Sequence, residues 1–137
     1  MKQYTFEEIK IGQKETFHVK VTSEDQKAFL AITGDCNPLH CDPDYAKQKG
    51  YSGCVVYGML TASYYSTLAG VWLPGEKSLI HKIQTKFLKP VLIGDELSVT
   101  GEVIEKNDTF QMITVKAFIT NQAGQKVSKA EMQIGLI

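Results

Sequence analysis

The chain has 137 residues, 43% apolar and 22% charged, with 15 Lys and Arg balanced by 15 Asp and Glu. A chain of this length buries roughly 68% of its unfolded surface, enough for a core without disulfides or a structural metal. Zero net charge lacks the cationic footprint that nucleic acid or an anionic membrane demands, so neither is an expected partner.

The opening run MKQYTFEEIKIGQKE alternates charged and apolar residues and has no apolar stretch of the kind a secretory signal needs, so a cytoplasmic protein is expected. No repeat, low-complexity tract or linker divides the sequence, and residues 1–137 are expected to form one domain. Lys14 to Thr22 alternates Phe17, Val19 and Val21 against His18 and Lys20 and predicts a first strand. Ser23, with Gln26 three residues on, has capping-box spacing and starts a helix that Gly34 stops. Residues Asp35 to Cys41 (DCNPLHC) are expected to be an irregular loop, because Pro38 disfavours the helical conformation at Asn37. Asp42-Pro43 then caps a short helix ending near Gly50.

A third helix is expected after Gly58. The apolar stretch from Val55 to Leu73 contains Thr61, Ser63, Ser66 and Thr67, too polar for a membrane span of about 20 residues, so it reads as a helix wrapped by other structure. After Pro74-Gly75 the period becomes strand-like over Ser78–Leu88, Asp95–Ile104, Phe110–Thr120 and Lys126–Ile137. Asn107-Asp108 and Asn121 to Gly124 are hairpin signals, which predicts an antiparallel meander. The fold class is α+β, and one arrangement it allows is a hot-dog fold, an antiparallel sheet wrapped round a central apolar helix.

Two elements offer chemistry. Asp35, Asn37 and His40 lie within six residues, and a carboxylate with an imidazole can hold a water, take one proton and return another. The same residues also suit a turn cap, a bend support and a packed histidine. Gly58 opens the apolar helix, where unpaired N–H groups and the helix dipole favour an oxygen gaining negative charge. A glycine needed only for tight helix entry explains it equally well.

Together the two elements resemble the MaoC-like, (R)-specific enoyl-CoA hydratases. The resemblance lies in ITGDCNPLHCDPDYAKQKGYSGCVVYGMLTASYYSTLAGVWLPG and the later PVLIGDEL, and it spans roughly Phe29 to Leu97. It implies a hot-dog homodimer, or higher homo-oligomer, that hydrates trans-2-enoyl thioesters reversibly. It also implies that Asp35 and His40 are the catalytic dyad, that Asn37 supports it, that the Gly58 N–H meets the thioester carbonyl, and that Ser66 is a pocket hydroxyl. Tyr57 departs from the pattern, since a histidine commonly precedes that glycine; a phenol donates a hydrogen bond but does not titrate near neutral pH.

The implied reaction suits these groups. Water attacks the electrophilic β-carbon while enolate charge develops on the thioester oxygen, so the site needs a base and an oxyanion donor. His40 is expected as the main base on water, with Asp35 sharing it and assisting proton delivery to the α-carbon. The expected substrate is an acyl-CoA or acyl-carrier-protein thioester; a basic patch of Lys82, Lys86 and Lys89 would favour CoA, and an ordinary solvated strand face explains the same lysines equally well. The competing readings are an acyl-carrier-protein dehydratase on the same fold, a hot-dog thioesterase, and a non-catalytic acyl-thioester-binding module. Cys36, Cys41 and Cys54 are an odd number and are expected as reduced thiols. Adjacent His40 and Cys41 lack zinc spacing, so no metal is expected, nor any cofactor. His18 and His81 are expected on the surface, and Tyr64 and Tyr65 in packing.

Overall fold

The computed structural model describes residues 1–137. Five strands, β1 (Lys14–Lys20), β2 (Ser78–Phe87), β3 (Glu96–Asn107), β4 (Met112–Thr120) and β5 (Lys126–Leu136), form one sheet in the order β1-β3-β4-β5-β2. Every pairing is antiparallel, so β1 and β2 are the edges. Alternation explains the sheet's inner face, because Leu97, Val99 and Val103 of β3, Ile113, Val115 and Ile119 of β4, and Met132 and Ile134 of β5 are all buried. The register shifts between Ile80 and Lys82, between Val103 and Glu105, and between Ile119 and Thr120. Such irregularities bend and twist strands, and here they help the sheet curl.

Inside the curl lies α4 (Gly58–Thr67), continued by one π-helical turn over Leu68–Trp72. Ala62, Tyr65, Leu68, Ala69 and Leu73 pack with the inner strand residues in one core. Leu68 seats against β3 at Gly101, where a Cβ would come within 2.7 Å of the Leu68 side chain and 3.0 Å of Val115. A larger residue there would push the helix off the sheet. The Tyr65 hydroxyl bonds Ser128 Oγ at 2.8 Å, and burial pushes its phenol up to about 12. Tyr65 is thus a packing residue, as expected; Tyr64 is half-buried and exposed His18 and His81 lie on the surface.

Three further helices lie on the way to α4: α1 (Ser23–Thr33), α2 (Pro38–Cys41) and α3 (Pro43–Gln48). The first correction concerns α1, which is capped by Thr22 and not by Ser23. Thr22 Oγ1 accepts from Asp25 N–H at 3.2 Å and Asp25 Oδ2 accepts from Thr22 N–H at 2.9 Å, so Asp25 closes the capping box and Gln26 turns inward. The second concerns residues 35–41, where Pro38–Cys41 makes a helical turn and only the start of the segment is irregular. Proline at the first helical position needs no N–H partner, and the Asn37 side chain caps the Leu39 N–H at 3.0 Å. Gly34 stops α1 in the left-handed conformation at φ 71°, and Asp42 caps α3, both as the sequence indicates.

Candidate active site

His40 sits on the single turn of α2, and its ring position follows from one backbone carbonyl. Its Nδ1 lies 2.7 Å from the Val55 oxygen. A carbonyl only accepts, so Nδ1 carries the proton and the Nε2 lone pair is left to act as a base. The two segments involved are tied together again by the Val55 N–H, which donates to the Leu39 carbonyl at 3.1 Å. Val56 N–H in turn donates to Val91 at 2.8 Å, anchoring the strand-like run 55–57 that leads into α4.

The next residue after that run is Gly58, the first of α4. Its N–H bonds no protein acceptor, as helix geometry leaves the first-turn donors free. His40 and Gly58 line the same cleft of about 300 Å³, together with Thr61, Phe87, Leu88 and Lys89. The Phe87 ring covers the glycine: a Cβ on Gly58 would lie 3.1 Å from it. The cleft therefore has an imidazole whose Nδ1 is engaged, a free N–H at a helix start and an aromatic wall. A larger depression of about 720 Å³ around His18, Glu96 and Gln122 shares none of these residues.

Tyr57 lies between the two elements. Its ring is 2% exposed and packs against the His40 ring, centroids 4.3 Å apart, and against Phe29 at 4.9 Å. Its hydroxyl donates to the Asp35 carbonyl and lies 3.3 Å from Cys41 Sγ. Burial, with the Cys41 hydrogen bond and nearby negative charge adding, pushes the phenol well above the usual tyrosine range, so it remains a donor. Tyr57 therefore joins Asp35 to His40 without titrating.

The remaining expected residues fall in different places. Asp35 is exposed; its Oδ1 accepts from the Asn37 N–H at 3.1 Å, and it forms no ion pair with His40, since the two pairs in the chain are Lys2–Glu15 and Lys14–Glu102. Asn37 acts on backbone, as the cap of α2. Ser66 is exposed and does not line the cleft. Of the three lysines, Lys89 lines the cleft and Lys82 and Lys86 do not. The three cysteines are free, and burial pushes the Cys54 thiol up, with Cys41 and Asp42 adding. No three His, Cys, Asp or Glu side chains converge as a metal site would need.

Sequence reasoning missed Gln26. It is 6% exposed, and its Nε2 donates to the His40 carbonyl at 3.1 Å and the Val55 carbonyl at 3.0 Å, while Oε1 accepts from the Tyr57 N–H at 3.3 Å. The available signal was its place on α1, three and four residues before Phe29 and Leu30, on the apolar face.

A curled antiparallel sheet round one helix, with a histidine and a helix-start N–H lining one cleft, defines a hot-dog protein. The chain belongs to the MaoC-like family: the MaoC like domain matches residues 6–124. It is 32% identical over 128 residues to an (R)-specific enoyl-CoA hydratase of Aeromonas caviae, covering 93% of this chain and 96% of that one. It is 34% identical over 95 residues to a mitochondrial 3-hydroxyacyl-[acyl-carrier-protein] dehydratase of Arabidopsis thaliana, covering 69% of this chain and 56% of that one. An R-hydratase structure from Pseudomonas aeruginosa superposes with a TM-score of 0.91 at 30% identity, covering 96% of this chain and 84% of that one.

The Tyr57 hydroxyl gives a test with a defined sign. Tyr57→Phe keeps the ring under His40 and removes the donor, and is expected to lower stability by about 0.5–1.5 kcal/mol at neutral pH. An unfolded phenol ionises near pH 10 and the folded one does so only at higher pH, so the unfolded state binds fewer protons and stability falls as pH rises past about 10. Urea titrations at about pH 8 and about pH 11 should therefore show the parent losing more stability than Tyr57→Phe. Equal losses would mean that the hydroxyl is not held in this buried bond.

Proposed function

We infer that this chain is an (R)-specific enoyl-CoA hydratase, a hydro-lyase interconverting trans-2-enoyl-CoA and (R)-3-hydroxyacyl-CoA. The observation that carries the reading is the cleft in which His40 Nε2, freed by the bond from Nδ1 to Val55, shares a wall with the unpaired Gly58 N–H. The family and the relatives named as hydratases support the same chemistry.

The reaction follows from what the two groups can do. The thioester carbonyl takes the Gly58 N–H, and the dipole of α4 favours the negative charge that grows on that oxygen. His40 Nε2 removes a proton from water, and the water oxygen bonds to the β-carbon as the double-bond electrons move to the carbonyl oxygen. Collapse of the enolate takes up a proton at the α-carbon, with Asp35 sharing the water and assisting that delivery. One proton leaves the water and one arrives at carbon, so the sum is the addition of water. Asn37 supports the loop through its cap of α2, and Tyr57 holds the Asp35 backbone.

Assembly belongs to the same reading. Edge strand β2 exposes Leu79, Ile83 and Phe87, and the outer face of α4 exposes Met59 at 63% beside exposed Ser63 and Ser66. An apolar edge of this kind invites pairing, and a second copy covering β2 and α4 would make Ser66 a pocket wall and shield Asp35. Residues 1–137 would then act as one MaoC-like unit of a homodimer, in the cytoplasm, where three free cysteines stay reduced. Light scattering on the active protein should give twice the mass of one chain; full activity in a monomer would contradict the shared pocket.

The catalytic assignment is tested by Asp35→Asn and His40→Gln. Asp35 is exposed and His40 half-buried, so both variants should fold while turnover on crotonyl-CoA falls by about two to four orders of magnitude. The loss of the enoyl-thioester absorbance measures it. Activity within about threefold of the parent would remove that residue from the dyad.

A further inference from the structure

We propose that Gln26 is a positioning residue that sets the proton location on the His40 imidazole through the Val55 carbonyl. The proposal rests on the catalytic reading of His40 and goes beyond it. All three hydrogen bonds of the Gln26 amide go to the backbone of the site: the His40 carbonyl, the Val55 carbonyl and the Tyr57 N–H, so both of its donors are used. Two carbonyls require the NH₂ end and one N–H requires the oxygen end, so the network itself fixes which way the amide points. A buried amide committed to three backbone groups is rigid, and so are the groups it holds.

The Val55 oxygen is the point at which this rigidity reaches the chemistry. It accepts from Gln26 Nε2 at 3.0 Å and from His40 Nδ1 at 2.7 Å. Hydrogen bonding to a fixed carbonyl selects the tautomer with the proton on Nδ1. The other tautomer, which an unrestrained histidine also populates, carries its proton on Nε2 and has no lone pair facing the cleft. Gln26 also holds the backbone of His40 itself, so the ring and the carbonyl it addresses are referred to one side chain on α1. Its third bond holds the Val56–Tyr57 peptide, one unit before the peptide that carries the Gly58 N–H, so the entry to α4 is tied to the same side chain.

A purely structural role for Gln26 predicts lost stability and nothing else. The positioning role predicts a change at the imidazole. Gln26→Met matches the side chain's length and removes all three bonds, while Gln26→Asn keeps the amide and loses its reach. In either variant, kcat for crotonyl-CoA should fall about ten- to hundredfold with KM within about threefold. Nitrogen-15 NMR of the neutral imidazole should show a single tautomer, with the proton on Nδ1, in the parent and a mixture in the variant. If Gln26→Met does not fold, Gln26→Asn carries the same two readouts. A single Nδ1–H tautomer retained in the folded variant, whatever its turnover, overturns the proposal. Failure of the parent to hydrate crotonyl-CoA would instead sink the functional reading, and the tautomer measurement would still decide the role of Gln26.

Discussion

The bond between His40 Nδ1 and the Val55 carbonyl is the constraint on which the site depends. At 2.7 Å it joins a single turn of α2 to the strand-like run that enters α4, two segments separated by fifteen positions of chain. An α2 of four residues has too few internal bonds to hold a side chain by itself. Its order comes from neighbours: the Asn37 cap below it, the Val55 N–H on the Leu39 carbonyl, the Tyr57 ring beside it and the Gln26 amide behind it. These contacts restrain both the His40 ring and its backbone, which is what the proposed base requires.

The sheet's contribution is to bring the apolar wall to the same place. Curling round α4 carries edge strand β2 over the start of that helix, so Phe87 lies on Gly58. An apolar ring thus borders the cleft that Gly58 lines. The curl itself depends on close approach deeper in the core, with Leu68 seated on Gly101. Glycine thus permits close approach at two places, the Phe87 ring at Gly58 and the Leu68 side chain at Gly101.

Much of this was legible in the sequence because it is local. Alternation marked the strands to within a few residues, Asp42-Pro43 marked α3, and of the residues singled out in DCNPLHC and at the later glycine, His40 and Gly58 line one cleft. What escaped reading is non-local or a competition between local signals. The strand order, with β5 between β4 and β2, depends on which faces meet. Thr22 and Ser23 both had capping chemistry; Thr22 with Asp25 won, which released Gln26 to turn inward and serve the site. The helical turn of α2 was hidden by Pro38, a helix breaker in an interior and a favoured residue at a first position. Ser66, matched by resemblance to a pocket, is exposed and lies outside the cleft of His40 and Gly58.

In the proposed mechanism, one fixed base and one fixed N–H deliver water to one face of a planar enoyl thioester. Chiral analysis of the product formed from crotonyl-CoA tests that most directly. A single enantiomer, the (R)-3-hydroxybutyryl thioester, is the result the geometry and the family lead to; an (S) product or a racemate would contradict it.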